Sequence, residues 1–463
     1  MCGLAGYLTA PGPGAYISPQ EAKIYLTTMG EAIAHRGPDG SGIWYDSDSG
    51  VGMVHRRLSI LDLSPAGAQP MEDASTRYIL AFNGEIYNHR DIRARLNAGG
   101  SAPAWRGHSD TETLLAAISA WGFEETLRVA VGMFAIALWD RKSRRLSLAR
   151  DRFGEKPLYY GWSGQNFFFA SELKALETHP EFNGSLDAAA VSAYLQSGYV
   201  PDPLCIYDGF AKLTPGTWVT IDGTSLGVLP TPVAYWSRED MLSTGRDRLF
   251  RGTAAEMVDL LEDKLRLAVG RELEADVPVG AFLSGGIDSS VVVSLMQAIS
   301  DQQISTFSIG FEDETFNEAP YAQAVADHLG THHTTKIATS QDALNLVPHL
   351  PRLYDEPFGD SSAIPTHLIS GLAAEHVTVA LSGDAGDETF FGYSRYPQVQ
   401  ERWDRLTWIP DQLRHGAGCA SALIAQAMPA PSATLAQIRQ KLASASHYLM
   451  AADDWDLYGR SIC

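Results

Sequence analysis

From residue 51 onward the chain alternates short apolar runs with Gly, Asn, Asp and charged breaks: "VGMVHRRLSI", "YILAFNGEIYN", "MFAIALWD", "RLSLARDRF", "PLYYG" and "FFFASELKAL". Runs of this length between turn residues predict strands. Helical spacing appears over 20–34 and 110–121, where Thr111, Leu114, Leu115 and Ile118 share a face. Strands and helices come in blocks, which predicts antiparallel pairing and a layered α+β domain over 1–215. The stretch that follows is rich in Pro, Gly, Thr and Ser, and its "SREDMLSTGRDRLFRG" has neither period, so 216–252 is expected to be a linker. At Thr253 the pattern changes. Thr253 and Glu256 form a capping box, and Val258, Leu261, Leu265 and Ala268 place an apolar stripe on the helix behind it. "VPVGAFL", "SSVVVSLMQAI", "ISTFSIGF", "EAPYAQAVADHLG" and "VTVALSG" then alternate strand and helix, predicting an α/β domain with a doubly wound parallel sheet over 253–463.

Composition narrows the partners. The 463 residues are 45% hydrophobic, enough for two or three cores, and 35 basic against 55 acidic side chains leave a net charge of −20. Such a surface repels polyphosphate and anionic headgroups, so neither nucleic acid nor membrane is an expected partner. The start lacks a basic leader and no run of about 18 apolar residues occurs, so the chain reads as cytoplasmic. Four cysteines, Cys2, Cys205, Cys419 and Cys463, are too scattered for a metal pair or a disulfide framework.

Cys2 alone reads as an ordinary buried small side chain. It also has a chemical use: methionine ahead of a small residue is commonly trimmed, leaving a thiol and a free α-amine of pKa about 8 on one residue, nucleophile and base together. "FNGEIYN" offers the Asn83 amide beside the Gly84 N–H, a pair suited to a tetrahedral oxyanion and equally to a hairpin turn. Arg57 could grip a carboxylate and Asp110 an ammonium group, though each also suits a surface charge or a helix cap.

In order along the chain, "MCGLAGYL", "HRGPDGSG", "RRLSILDLSPAGAQPM", "NGEIYNH", "GHSDTETLL", "GMFAIALWD", "ARDRFGEKPLYY" and "SELKAL" resemble the class II, N-terminal-nucleophile glutamine amidotransferases, in their asparagine synthetase branch. The resemblance implies an αββα glutaminase domain. It also implies Cys2 as nucleophile, Asn83 and Gly84 as oxyanion hole, and glutamine held by Arg57, Glu85, Asp110, Asn83 and the backbone of Ile60 and Leu61.

"FLSGGIDSS" lies between a strand and a helix, so Ser284, Gly285, Gly286, Ser289 and Ser290 can turn N–H and hydroxyl groups toward an anion at a helix N-terminus. No Gly-Lys-Ser/Thr follows, which excludes a Walker A loop, and a G-x-G-x-x-G is missing. Asp288 inside the loop makes sense with a cation bridging it to phosphate. A second acidic loop, "LSGDAGDETFFGY", gathers Asp384, Asp387 and Glu388 after another strand, where parallel sheets bind ligands. "SGGIDSS", "DEPFGDSSAIPTHLIS" and "SGDAGDE" resemble the ATP pyrophosphatase domain of asparagine synthetases. That resemblance implies Mg²⁺ on Asp288 and Asp387, ATP against Leu283, Ile309, Ser382 and Gly383 as well as the loop, and Asp384 in acyl-adenylate formation. The implied reaction is glutamine-dependent amidation of an adenylated carboxylate: aspartate most simply, alternatively a sugar uronate or a peptide carboxylate. A glutaminase or partner subunit without synthetase activity is a further alternative. Relatives are often homodimers, an expectation that carries over.

His332 and His333 are neighbours in a strand-like segment and so face opposite ways, which makes a poor chelate. Cys463 does not form a prenylation box, and Cys205 and Cys419 read as structural. After "FFGYSRYP" the family's "ExRxPFLD" segment and its lysine-bearing "KxxLR" helix are not found, so the synthetase domain is expected to be truncated. Loss of that lysine would cost about 3 kcal/mol of transition-state stabilisation.

Overall fold

The computed structural model describes residues 2–11, 17–315, 317–429 and 432–462. The questions of Met1 removal and of Cys463 lie outside the described residues. The chain divides into two compact units, residues 1–382 and 383–463.

In the first unit twelve strands build two antiparallel sheets: β1 (Gly3–Thr9), β2 (Gly40–Asp46), β3 (Val51–Arg57), β4 (Met71–Glu72), β5 (Tyr78–Ile86), β6 (Gly132–Asp140), β7 (Arg145–Arg150), β8 (Tyr159–Ser163), β9 (Asn166–Ala170), β10 (Phe210–Lys212), β11 (Thr217–Ile221) and β12 (Val233–Ala234). One sheet runs β10-β8-β9-β1-β3-β2 and the other β12-β11-β7-β6-β5-β4. Leu4, Leu8, Val51 and Phe167 of the first pack with Ile79, Ala135, Trp139 and Leu148 of the second in one apolar cluster. The opposite side of the second sheet, at Leu80, Phe82 and Ile136, packs on helices α2 (His89–Ala98) and α3 (Asp110–Trp121). The opposite side of the first, at Ala5, Tyr7, Val54 and Phe168, packs on a helix over Pro19–Ala32.

Several expectations needed adjustment. β1 and β2 are strands despite their glycines, because Gly6 lets Gly52 O and Phe169 approach to 2.3 and 2.4 Å of where a Cβ would sit. "FFFASELKAL" splits: β9 ends at Ala170 and Leu173–Glu177 is helical. β11 pairs with β7 and so extends the second sheet into 216–252, and Arg238–Asp247 is a helix capped by Ser237, with no residue buried. The capping box Thr253–Glu256 forms, but the stripe is shifted: Val258 and Leu261 are exposed, and the buried face of Ala254–Glu272 runs through Leu265 and Val269 to Leu273.

The same unit then holds a parallel sheet of β13 (Val279–Phe282), β14 (Ser305–Phe311), β15 (His332–Ala338) and β16 (Val379–Leu381), in the order β15-β14-β13-β16. The chain order reverses between β13 and β16, so the segments leaving these two strands flank a topological switch point. His332 is exposed, whereas His333 is bonded to the hydroxyls of Thr306, Ser308 and Thr335 at 2.9 to 3.1 Å. Cys205 is buried, as a structural cysteine would be, but Cys419 is exposed on the helix Asp411–Ala427. Among the described residues no helix is long and apolar enough to cross a membrane.

The second unit is helical. Val399, Ala451 and Leu457 form its apolar cluster with Trp403, Leu406, Tyr448 and Tyr458.

Candidate active site

Cys2 precedes β1, at the centre of the first sheet, and its thiol meets the peptide group just past β3. Leu58 N–H points at Sγ at 3.4 Å, and Sγ lies 3.5 Å from Leu58 O. Arg36 Nε fixes the Cys2 carbonyl at 2.9 Å. Burial pushes the thiol's pKa up, and the Leu58 N–H pulls the other way. Cys2, Arg57, Ile60, Leu61, Asn83, Gly84, Glu85 and Asp110 all line one pocket, joined there by Gln69, Met133 and Lys156.

Asn83 and Gly84 lie within β5 and are not a hairpin turn. Phe82 N–H is taken by Gln69 Oε1 at 2.7 Å and Ile86 N–H by Asp110 Oδ2 at 3.0 Å, so both turn away from β6. Alternation along the strand turns the Gly84 N–H to that same side, toward the pocket. A side chain at Gly84 has no room, since its Cβ would stand 2.1 Å from Met133 O. Asn83 is wholly buried, with Nδ2 3.5 Å from Ser171 Oγ and Oδ1 without a partner among the described residues. Ser171 Oγ also accepts Leu4 N–H at 3.1 Å, so this hydroxyl ties the two sheets together two residues from the thiol.

Glu85 is the penultimate residue of the same strand. Its Oε1 is buried without a partner among the described residues, and burial, with the Asp110 charge nearby, raises its pKa to about 7. Asp110 opens α3 behind the Ser109 cap and also accepts Thr111 N–H at 2.7 Å; burial raises its pKa too. Two buried carboxylates in one pocket form a receptor for a cation. Arg57 does more than line the pocket. Its guanidinium donates to Ser64 O at 3.0 Å, Leu61 O at 3.3 Å and Asp62 O, which shapes the loop carrying Ile60 and Leu61. A Cβ at Gly67 would fall 2.1 Å from Arg57 Nη2.

Ser171, Gln69 and Lys156 were not found from the sequence as site residues. Lys156 is placed by Asp151, a fully buried carboxylate that accepts the N–H groups of Phe134, Phe153, Glu155 and Lys156 at 2.9 to 3.1 Å. The clustered charges of "DRFGEK" were the available signal.

The second predicted site begins where β13 ends. Leu283 is buried and its N–H bonds Phe307 O at 2.8 Å. Gly285 has φ +83°, and a Cβ on it would meet the Tyr321 and Ala322 backbone at 2.7 Å, so glycine is required. Ser284 and Ser289 hydroxyls are 3.0 Å apart and Ser284 Oγ accepts Gly286 N–H, closing the loop on itself. The helix Ile287–Ile299 behind it has no side-chain cap, which leaves its first N–H groups for an anion. Asp288 and Ser290 stand half-buried in its first turn, and Ile309 lies on β14. Ser382 follows β16 and closes the first unit; Gly383, Asp384, Asp387 and Glu388 open the second. Asp384 is exposed, and Glu388 Oε1 accepts the Tyr393 hydroxyl at 2.8 Å. Among the described residues no three His, Cys, Asp or Glu side chains gather to hold a metal.

A pocketed thiol at the chain start, between two antiparallel sheets, defines with the family comparison a glutamine amidotransferase. Residues 1–236 match the glutamine amidotransferase domain model, and residues 260–458 match that of asparagine synthase. A Methanocaldococcus jannaschii protein provisionally named a glutamine-hydrolysing asparagine synthetase is 34% identical over 89% of this chain and 79% of its own length. A Bacillus subtilis glutamine-hydrolysing asparagine synthetase is 36% identical over 86% of this chain and 59% of its own. For a Mycobacterium bovis protein, again provisionally so named, the figures are 34%, 92% and 66%. This chain belongs to the glutamine-hydrolysing asparagine synthetase family, and its matches span 59 to 79% of these relatives' lengths.

Proposed function

We propose that the protein frees ammonia from glutamine at Cys2 and uses it to amidate aspartate activated by ATP, giving asparagine, AMP and pyrophosphate. The carrying observation is that eight residues drawn from four separate segments line one pocket around the thiol. Glutamine enters with its α-ammonium against Glu85 and Asp110 and its carboxylate against Arg57. The Cys2 amine, free once Met1 is removed, takes the thiol proton, and Sγ attacks the side-chain amide carbon. The oxyanion is met by Gly84 N–H and the Asn83 amide, whose N–H₂ faces the pocket when the group is turned so that Oδ1 accepts from Ser171. The amine returns its proton to the nitrogen, ammonia leaves, and water cleaves the thioester to glutamate.

For the second half, the uncapped N–H groups after Gly286 and the Ser284, Ser289 and Ser290 hydroxyls suit the pyrophosphate of ATP, with Leu283, Ile309 and Ser382 beside the nucleotide. Asp288, in the first turn of the helix behind the loop, supplies a carboxylate. Mg²⁺ characteristically takes one or two carboxylates together with phosphate oxygens, so this donor set fits it, and the ion would neutralise charge on departing pyrophosphate. Asp384 is assigned to acyl-adenylate formation. Aspartate is preferred over a uronate or peptide acceptor because the matched relatives carry the asparagine synthetase name.

The layering αββα, a linker shortened to 237–252 because β11 and β12 belong to the second sheet, an ATP pyrophosphatase domain over 253–463, a homodimer and a cytoplasmic location belong to the same reading; the three apolar clusters of the two-sheet domain support the first. The test is asparagine formation from glutamine, aspartate and Mg-ATP by the full chain. Glutamate release without ATP-dependent asparagine would reject the synthetase half, and no glutamate release would reject the whole.

A further inference from the structure

The loop that faces glutamine is held from outside its own domain. Asp276 lies three residues ahead of β13, in the part of the chain that carries the adenylating loop. Its N–H donates to Ile60 O at 2.9 Å. Its Oδ2 accepts Asp62 N–H at 2.7 Å and stands 2.6 Å from His108 Nε2. Asp62 needs such support: it is a buried non-glycine residue at φ +56°, a conformation that persists only when its surroundings impose it. His108 N–H and Ser64 N–H close on the Asp62 carboxylate at 2.8 and 3.1 Å. Asp62 O and Leu61 O in turn accept from Arg57 Nη2. The hydrogen-bonded path therefore runs Asp276 to Ile60–Asp62 to Arg57, and ends on the guanidinium that lines the Cys2 pocket.

We propose that Asp276 is a positioning residue for glutamine, contributed by the asparagine synthase part of the chain, and that it sets glutamine affinity by pinning Ile60–Asp62 and thereby orienting Arg57. The proposal rests on the glutamine reading above. It also gives the two reactions a physical link: the segment whose far end becomes Ser284–Gly286 holds, at its near end, the loop whose Ile60 and Leu61 line the amidase pocket.

The experiment is steady-state glutamate release by the full chain. Asp276→Ala is expected to raise KM for glutamine about tenfold, the usual consequence of losing a charged acceptor, with kcat changed by less than about twofold. Asp276→Asn keeps an oxygen for the Asp62 N–H and is expected to recover most of the affinity. In an Arg57→Ala background, Asp276→Ala is expected to add clearly less than it does alone, since both act through one guanidinium. An unchanged KM in Asp276→Ala, or effects of the two substitutions that simply multiply, would overturn the proposal. If Asp276→Ala does not fold, His108→Ala removes one partner of the same carboxylate. A KM rise of about threefold supports the proposal, and a wild-type KM in that variant overturns it. A wild-type chain that releases no glutamate removes the glutamine reading, and the proposal with it. That result is distinct from wild-type turnover with an Asp276→Ala KM equal to it.

Discussion

Ser171 and Asn83 meet across the two sheets near the Cys2 thiol, with Ser171 Oγ 3.5 Å from the Asn83 amide and 3.1 Å from Leu4 N. The hydroxyl thus fixes both the strand that starts at the thiol and the amide assigned to the oxyanion. Asn83→Ala is expected to lower kcat for glutamate release by about 10² to 10³-fold with little change in KM, because the lost contact matures in the transition state. Ser171→Ala should lower kcat by about tenfold, the cost of a positioning hydrogen bond. A rise in KM without loss of kcat would contradict the assignment.

Glutamine binding should depend on pH through Glu85. Its carboxyl, raised to about 7, must be ionised to receive an ammonium group. Protonation dominates below that value, so affinity is lost as pH falls through 7 and reaches its plateau above it. Calorimetric titration of glutamine into Cys2→Ala, which separates binding from turnover, is expected to show about tenfold weaker binding at pH 6 than at pH 8. Glu85→Gln should flatten that dependence. The same group gives the ligand-free protein a stability that is present below its unfolded pKa and declines as pH rises through 7.

Asp151 organises the turn that carries Lys156 into the pocket. Asp151→Ala leaves four N–H groups without their shared acceptor and is expected to cost about 3 to 5 kcal/mol in denaturant unfolding. A loss under 1 kcal/mol would show that water replaces the carboxylate there.

Gly285→Ala should separate the two activities. The positive φ and the 2.7 Å approach of the Tyr321 and Ala322 backbone exclude a Cβ, so nucleotide binding is expected to be lost. Glutamate release without ATP should persist within about twofold, since the loop does not line the Cys2 pocket. Fluorescent-nucleotide binding and glutamate release on the same preparation check this.

Much of the site was readable because its chemistry is concentrated in short polar segments. Cys2, Arg57, Asn83, Gly84 and Asp110 each carry a group whose type singled it out, and all five line one pocket, while α3 followed from the spacing of Leu114, Leu115 and Ile118. What escaped depends on distant pairing. Ser171 acts through Leu4 and Asn83, 167 and 88 residues away, and Asp276 acts through Asp62, 214 residues away. No local pattern encodes such partners. The helix Ala254–Glu272 shows the converse: its apolar residues cover more than one face, so the pattern selected Leu265 but put Val258 and Leu261 beside it in place of Val269. Within β1 and β2, glycines that admit close backbone approach masked the strands.

The central claim is that Cys2, freed of Met1, is the nucleophile of a glutamine amidase. Mass spectrometry of the protein after treatment with a diazoketone analogue of glutamine tests it directly. The account predicts a chain lacking Met1 that carries one adduct, on Cys2, and is protected by excess glutamine. A chain that retains Met1 and takes no adduct, or an adduct on Cys205 or Cys419 instead, would contradict it.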